Sequence, residues 1–298
     1  MTSIVKRGLS AVDTALDRFL FASCQPVIGS VLRIAIGILL CIYAYSWWLD
    51  GTHWFSDAGV LRGTTSSKLL NGEFKSLLVF LPQTPAVIQA GLLLLMTQSV
   101  LLLLGVWSRF QAACVFVLLT SFQHRNVLIV DGQDTVMRWF VFIMIFLPLD
   151  HRWSLARAIR RIPSLATQAD AWALRLLQVE MTAIYFSSAF TKVAGNTWRD
   201  GTALFYVARS DDVFGRFWLP DALFESSGIV KLCTWTVLAV EIFIPFGLWI
   251  PRLRPVALFM AVALHLAIEY SMNLFLFEWL MIAGLLSFIT VRDEAGTG

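Results

Sequence analysis

Long apolar runs alternate along the chain with short polar or basic connections. The runs fall at about 27–49, 86–106, 110–126, 135–149, 171–194 and 228–250, and the stretch 256–291 divides near Asn273 into two more. Most approach or reach the roughly 20 residues that a helix needs to cross a hydrocarbon core. The residue-by-residue alternation of a membrane barrel strand is missing. The pattern predicts an all-α, polytopic integral membrane helical bundle with about eight transmembrane helices. Residues 4–23 read differently. Val5, Leu9, Val12, Leu16, Phe19 and Leu20 recur at near-helical spacing with Lys6, Arg7, Asp13, Asp17 and Arg18 between them, as in a helix lying on a membrane surface. The expected organisation is an amphipathic surface helix over 1–26, one transmembrane domain over 27–291 and a short cytosolic tail over 292–298, with no internal repeat and no second domain. The piece 76–81, which stops at Pro82, is too short to span and reads as a re-entrant or surface segment.

Composition narrows the picture. With 58% hydrophobic and 14% charged residues and a mean hydropathy of +0.72, the chain is too apolar for a soluble domain. The formal charge of +3 is scattered over membrane flanks, so no nucleic-acid partner is expected and lipids are. The four cysteines, at 24, 41, 114 and 233, form no CxxC, which argues against a zinc ribbon or a dithiol redox pair. The short, basic connections around Arg109, Arg152–Arg161 and Arg252–Arg254 read as cytosolic. That puts both termini in the cytosol of a multi-pass protein of the cell (inner) membrane. The long loops 50–85 and 195–227 then share the outer face.

That face gathers the candidate chemistry: His53, Trp54, His124, Arg125, Asn126, Asp134, Lys192, Trp198 and Asp200, from the ends of four spans. Lys192 stands near the end of an apolar helix that Gly195 and Asn196 stop, with Tyr185 and Ser188 on the same helical stripe. An amine in such a place either snorkels to the headgroups or, desolvated, serves as a general base. Asp134 and Arg138, four residues apart, are spaced to pair, and so are His265 and Glu269. Arg33, within the first third of the first span, either snorkels or holds a carboxylate inside the bundle, for which Glu241 is one candidate. No metal site is expected, because His265 and Glu269 lack convincing further ligands.

Four pieces of sequence together resemble a known family. They are FSDAGVLRG at 55–63 after an arginine-bearing span, HRN…DGQDTVMR at 124–138, FTKVAGNTWRDGTALFY at 190–206 and ALHLAIEYSMNLFLFEWLMI at 263–282. The set resembles the HTTM (horizontally transferred transmembrane) family, the membrane module shared with vitamin K-dependent gamma-carboxylase. The resemblance implies a lyase- or oxygenase-like enzyme in which Lys192 is the base and His124, or its neighbour Arg125, assists. His265 falls in the family's later histidine motif. Arg125, Asn126, Tyr185, Ser188, Trp198, Asp200, His53, Trp54 and His265 would then line the substrate site. The implied cofactor is a reduced quinone, vitamin K hydroquinone or menaquinol, with carbon dioxide and oxygen if the carboxylase chemistry is retained. A peptide or protein substrate to be matured, and small partner proteins, are also implied. The carboxylase has a large lumenal domain that is not expected here, which leaves the substrate open. The alternative is a non-catalytic factor that binds or exports a hydrophobic peptide or lipid.

Overall fold

The computed structural model describes residues 13–69, 76–160, 169–220 and 222–289. The chain is about 75% helical with almost no strand, and it divides into two compact units, Met1–Leu176 and Leu177–Gly298.

The first unit is built on α1 (Val27–Phe55), α2 (Pro85–Leu104), α3 (Ser108–Arg125) and α4 (Gly132–Met144). Each of α2, α3 and α4 packs on the helix before it. Ahead of α1 the chain is helical over 13–21, with Leu16, Phe19 and Phe21 exposed; the rest of the expected surface helix, 1–12, lies outside the described residues. Its end is tied down by β1 (Ser23–Cys24), which pairs antiparallel with β2 (Ala169–Asp170). The segment 76–81 forms a 3₁₀ turn over Leu77–Phe80 that buries Leu78 and exposes Phe80.

α1 runs past its expected end at 49 to Phe55. The reason is tertiary. Trp47 and Phe55 lie on one helix face, and both rings pack against Phe122 of α3, with centroids at 6.2 and 5.1 Å. Continuing the helix buries Phe55 in a core with Leu78, Ile88 and Leu92. α2 opens on the Thr84 hydroxyl, which accepts from Val87 N, with Pro85 in the first turn. It closes on Gly105 at φ 75°, where a side chain would also strike the Arg33 guanidinium.

Arg33 is fully buried and holds no carboxylate among the described residues. Its guanidinium donates to the carbonyls of Leu102 and Leu103 at the end of α2, and to those of Arg152 and Trp153. The last carbonyls of a helix have no partner within it and carry its negative pole, so a buried cation finds acceptors there without a counter-ion in contact. The expected Asp134–Arg138 pair is likewise not formed. Asp131 is the N-cap of α4 and Asp134 closes a capping box with it, accepting from Asp131 N at 2.8 Å. The Asp134 carboxylate also accepts the buried Tyr43 hydroxyl. Capping turns Asp134 toward the helix start and away from Arg138, which lies one turn on.

The second unit contains most of α5 (Trp172–Ala194), then α6 (Ser227–Gly247), α7 (Arg254–Ser271) and α8 (Phe277–Leu285), which runs on as a 3₁₀ turn over Leu286–Phe288. The break between α7 and α8 falls at 272–276, with Phe275 at φ 50°. Two short helices, Asn196–Arg199 and Ala203–Val207, follow α5.

Among the described residues, α1, α2 and α6 are long and apolar enough to cross a membrane. α4, with 13 residues, is about 20 Å long, short of a bilayer's hydrocarbon core.

Candidate functional site

Lys192 lies in the last turn of α5. Its Nζ is 2.6 and 2.7 Å from the two carboxylate oxygens of Glu241 on α6 and donates to Ser188 Oγ at 2.8 Å. Ser188 in turn donates to Glu241 at 3.3 Å. The lysine side chain is 22% exposed and the glutamate side chain 7%, so the pair has one accessible end and one buried end. Glu241 is thus held by Lys192 and Ser188, while Arg33, which the sequence offered as its partner, is bonded elsewhere. α6 carries Pro245 four residues after Glu241. Proline has no N–H to give the Glu241 carbonyl, which loosens the helix beside the pair.

The loop that follows is built to cover this end. Gly201 adopts φ 75°, and a side chain there would meet Lys231 and Trp235 of α6 at about 3 Å. Trp235 donates to the Arg199 carbonyl at 3.2 Å, and Leu204 N donates to Thr234 Oγ1 at 3.3 Å. Pinned in this way, the WRDG turn sets the Trp198 ring 5.1 Å from Lys192 Nζ, within range of a cation–π contact. Asp200 is exposed where the short helix ends.

Further along the Lys192 stripe, the buried Tyr185 hydroxyl lies 2.5 Å from His265 Nε2, and His265 Nδ1 bonds Glu278 of α8. His265 and Glu269, expected as a pair, are not partners. Glu269 is engaged by Arg216 at 2.6 Å and by the Trp279 indole at 2.8 Å. Helical spacing put both side chains on one face, but the break after α7 lets α8 fold back and supply the nearer carboxylate. Between α5 and α6 runs an apolar groove of about 210 Å³, lined by Phe186, Phe190, Val193, Ile242, Pro245 and Phe246 together with Ala189.

The other candidates lie in the first unit. Arg125 is fully buried, donating to Asp57 at 3.2 Å and to the Leu61 carbonyl at 2.8 Å, while its own carbonyl accepts from Ser66. Asn126 donates to the Trp54 carbonyl at 2.9 Å and accepts from Leu128 N. These bonds tie the FSDAGVLRG and HRN pieces to each other, so both side chains hold a loop in place. His53 is exposed in the last turn of α1 with its ring edge against Trp54, and half-buried His124 ends α3. Among the described residues no group of three or more His, Cys, Asp or Glu is placed to hold a metal.

The sequence reading missed Glu241 as the partner of Lys192 and Glu278 as the partner of His265. A signal was present: each is a lone acid inside an apolar run, and a carboxylate there calls for a partner.

The profile of the HTTM domain matches residues 73–292. A relative from Bacillus subtilis (strain 168), the uncharacterized protein YitO, is 24% identical over 177 residues, covering 57% of this chain and 57% of the relative. The chain thus aligns with little more than half of that protein's length. No solved structure matches.

Proposed function

The chain belongs to the HTTM family of membrane domains, and we propose that it is an integral membrane enzyme in which Lys192 and Glu241 act together as an acid–base pair. The observation that carries this reading is the Lys192 amine set against both oxygens of a nearly buried carboxylate while its own side chain keeps a path outward. Transfer of one proton from the ammonium to the carboxylate leaves an amine and a carboxylic acid, both neutral, with the net charge of the pair unchanged. The neutral amine so formed is a base at the exposed end. Ser188 orients the amine from one side and the Trp198 face from the other.

A quinol-like lipid, a peptide, or both are the proposed substrates, as in the membrane module of vitamin K-dependent gamma-carboxylase. The groove beside the pair, lined by three phenylalanines, a proline and aliphatic residues, suits the ring and tail of a reduced quinone. Such a quinone would supply reducing equivalents and an acidic hydroxyl. Phe186, Phe190 and Phe246 would hold its apolar part, and Lys192 would take the hydroxyl proton. Carbon dioxide and oxygen enter if carboxylation is the outcome. The proposed setting is the cell membrane, with about eight spans, both termini cytosolic and Lys192 toward the outer face.

One observation favours a second reading, a non-catalytic factor that binds a hydrophobic peptide or lipid. The amine already donates to Ser188 and to both Glu241 oxygens, as a purely structural ion pair would. Purified protein in lipid nanodiscs, given vitamin K hydroquinone, oxygen and labelled carbon dioxide, separates the two when Lys192→Arg is compared with wild type. The guanidinium keeps the charge and cannot act as a base near neutral pH. The acid–base reading expects quinol consumption in the wild type and its loss in a stably folded Lys192→Arg. Full activity in Lys192→Arg rejects it.

A further inference from the structure

We propose that Tyr185, His265 and Glu278 form a proton-transfer station behind Lys192, in which the Tyr185 hydroxyl gives its proton to His265 Nε2 and Glu278 holds the imidazole in the tautomer that receives it. The proposal rests on the acid–base reading of Lys192 for its purpose, though not for its geometry. All three side chains are buried, at 3, 4 and 1% exposure, and they come from three different helices. Each ring nitrogen of His265 has one partner. An ionised carboxylate only accepts, so Nδ1 carries the proton toward Glu278; Nε2 of the neutral ring is then the acceptor and the phenol the donor. This is the arrangement of a hydroxyl, a histidine and an orienting carboxylate that activates nucleophiles elsewhere, here with a phenol in the hydroxyl's place.

A need to satisfy buried polar atoms does not account for the set, since three apolar residues would have needed no partners. The neighbouring acid on α7, Glu269, is occupied separately by Arg216 and Trp279, so the chain of bonds is not a fragment of that ion pair. Tyr185 lies seven residues before Lys192 on the same stripe, about 10 Å along the helix axis. Ser188, between them, is bonded to both Lys192 and Glu241. In the transfer, the Tyr185 O–H bond breaks as the Nε2–H bond forms, leaving phenolate and imidazolium beside the Glu278 carboxylate. The phenolate then regains a proton as the Glu241 O–H bond breaks, which returns the pair to ammonium and carboxylate. One proton has moved inward, from the Lys192 side to His265, and no electron has moved.

The test is nuclear magnetic resonance of the full chain in phospholipid nanodiscs, with ¹⁵N-histidine and ¹³C-tyrosine labels. Spectra of His265→Gln and Tyr185→Phe identify the two signals. The tautomer with the proton on Nδ1 is expected, with Tyr185→Phe shifting the Nε2 resonance. An imidazolium, a proton on Nε2, or an Nε2 signal indifferent to Tyr185→Phe would each overturn the proposal. The first and last of these marks a structural histidine. The wild-type tautomer decides even where Tyr185→Phe does not fold. If quinol turnover is detected, Tyr185→Phe should lower it by roughly 100-fold with KM little changed; unchanged turnover would deny the station its role. A fully active Lys192→Arg sinks the acid–base reading alone, because the tautomer is measured without turnover.

Discussion

The ion pair at the end of α5 makes an asymmetric prediction. Glu241 is the buried member, with a side chain 7% exposed against 22% for Lys192. Lys192→Met therefore strands a carboxylate with little access to water, and Ser188 at 3.3 Å is the hydrogen-bond donor left to it. Removing one partner of a buried pair costs about 3–5 kcal/mol, and the partial exposure here places the expectation at the low end, about 3 kcal/mol. Glu241→Gln leaves an ammonium that retains Ser188 and the Trp198 face and can reach outward. Its cost should be about 1 kcal/mol, nearer that of an exposed pair. In the double variant no charge is stranded, so its loss should resemble that of Glu241→Gln, which implies a coupling of roughly 3 kcal/mol. At roughly 2–4 °C per kcal/mol, thermal unfolding in detergent should show Tm falling by about 6–12 °C for Lys192→Met and about 2–4 °C for Glu241→Gln. Equal and additive shifts, or a larger loss from Glu241→Gln, would show that the two groups are not a buried pair and would remove the premise of the acid–base reading.

Arg33→Met should lower the stability of the first unit by about 3 kcal/mol, since four carbonyls, one of them in a fully buried bond, lose a charged donor. Arg33→Lys should recover only part of this, because an ammonium cannot reach both pairs of carbonyls; a Tm equal to wild type for the lysine variant would refute the described role. Asp134→Ala should cost about 1–2 kcal/mol, as the Asp131 N–H and the Tyr43 hydroxyl lose their acceptor, whereas Arg138→Ala should stay within about 0.5 kcal/mol. Equal losses in thermal unfolding would restore the Asp134–Arg138 pair. For orientation, single cysteines at the exposed positions Thr65 and Ile159 in a cysteine-free background can be labelled in intact cells with an impermeant thiol reagent. Label at Thr65 and not at Ile159 is expected from the basic connections, and the reverse would turn the protein over in the membrane.

The sequence by itself determined the helical, membrane-type character of the chain, because apolar runs of that length have few other stable forms in lipid. It also determined the stripe Tyr185–Ser188–Lys192, because residues three and four apart on one helix must be neighbours. The family was legible as well, from short motifs whose partners lie far apart in the chain. Local spacing could not choose among distant partners. Arg33 and Glu241 were each readable as charges in need of company, but only the packing of helices decided that Arg33 meets the end of α2 and that Glu241 meets Lys192. The two pairings inferred from i, i+4 spacing failed for a common reason. Asp134 was claimed by a helix start and by Tyr43, and His265 by the returning α8. An i, i+4 pair is worth only about 0.2–0.5 kcal/mol, while a buried hydrogen bond to a charged group is worth about 1.5–3 kcal/mol. Where the fold offers a buried polar group a closer partner from another helix, that tertiary partner prevails over the neighbour one turn away.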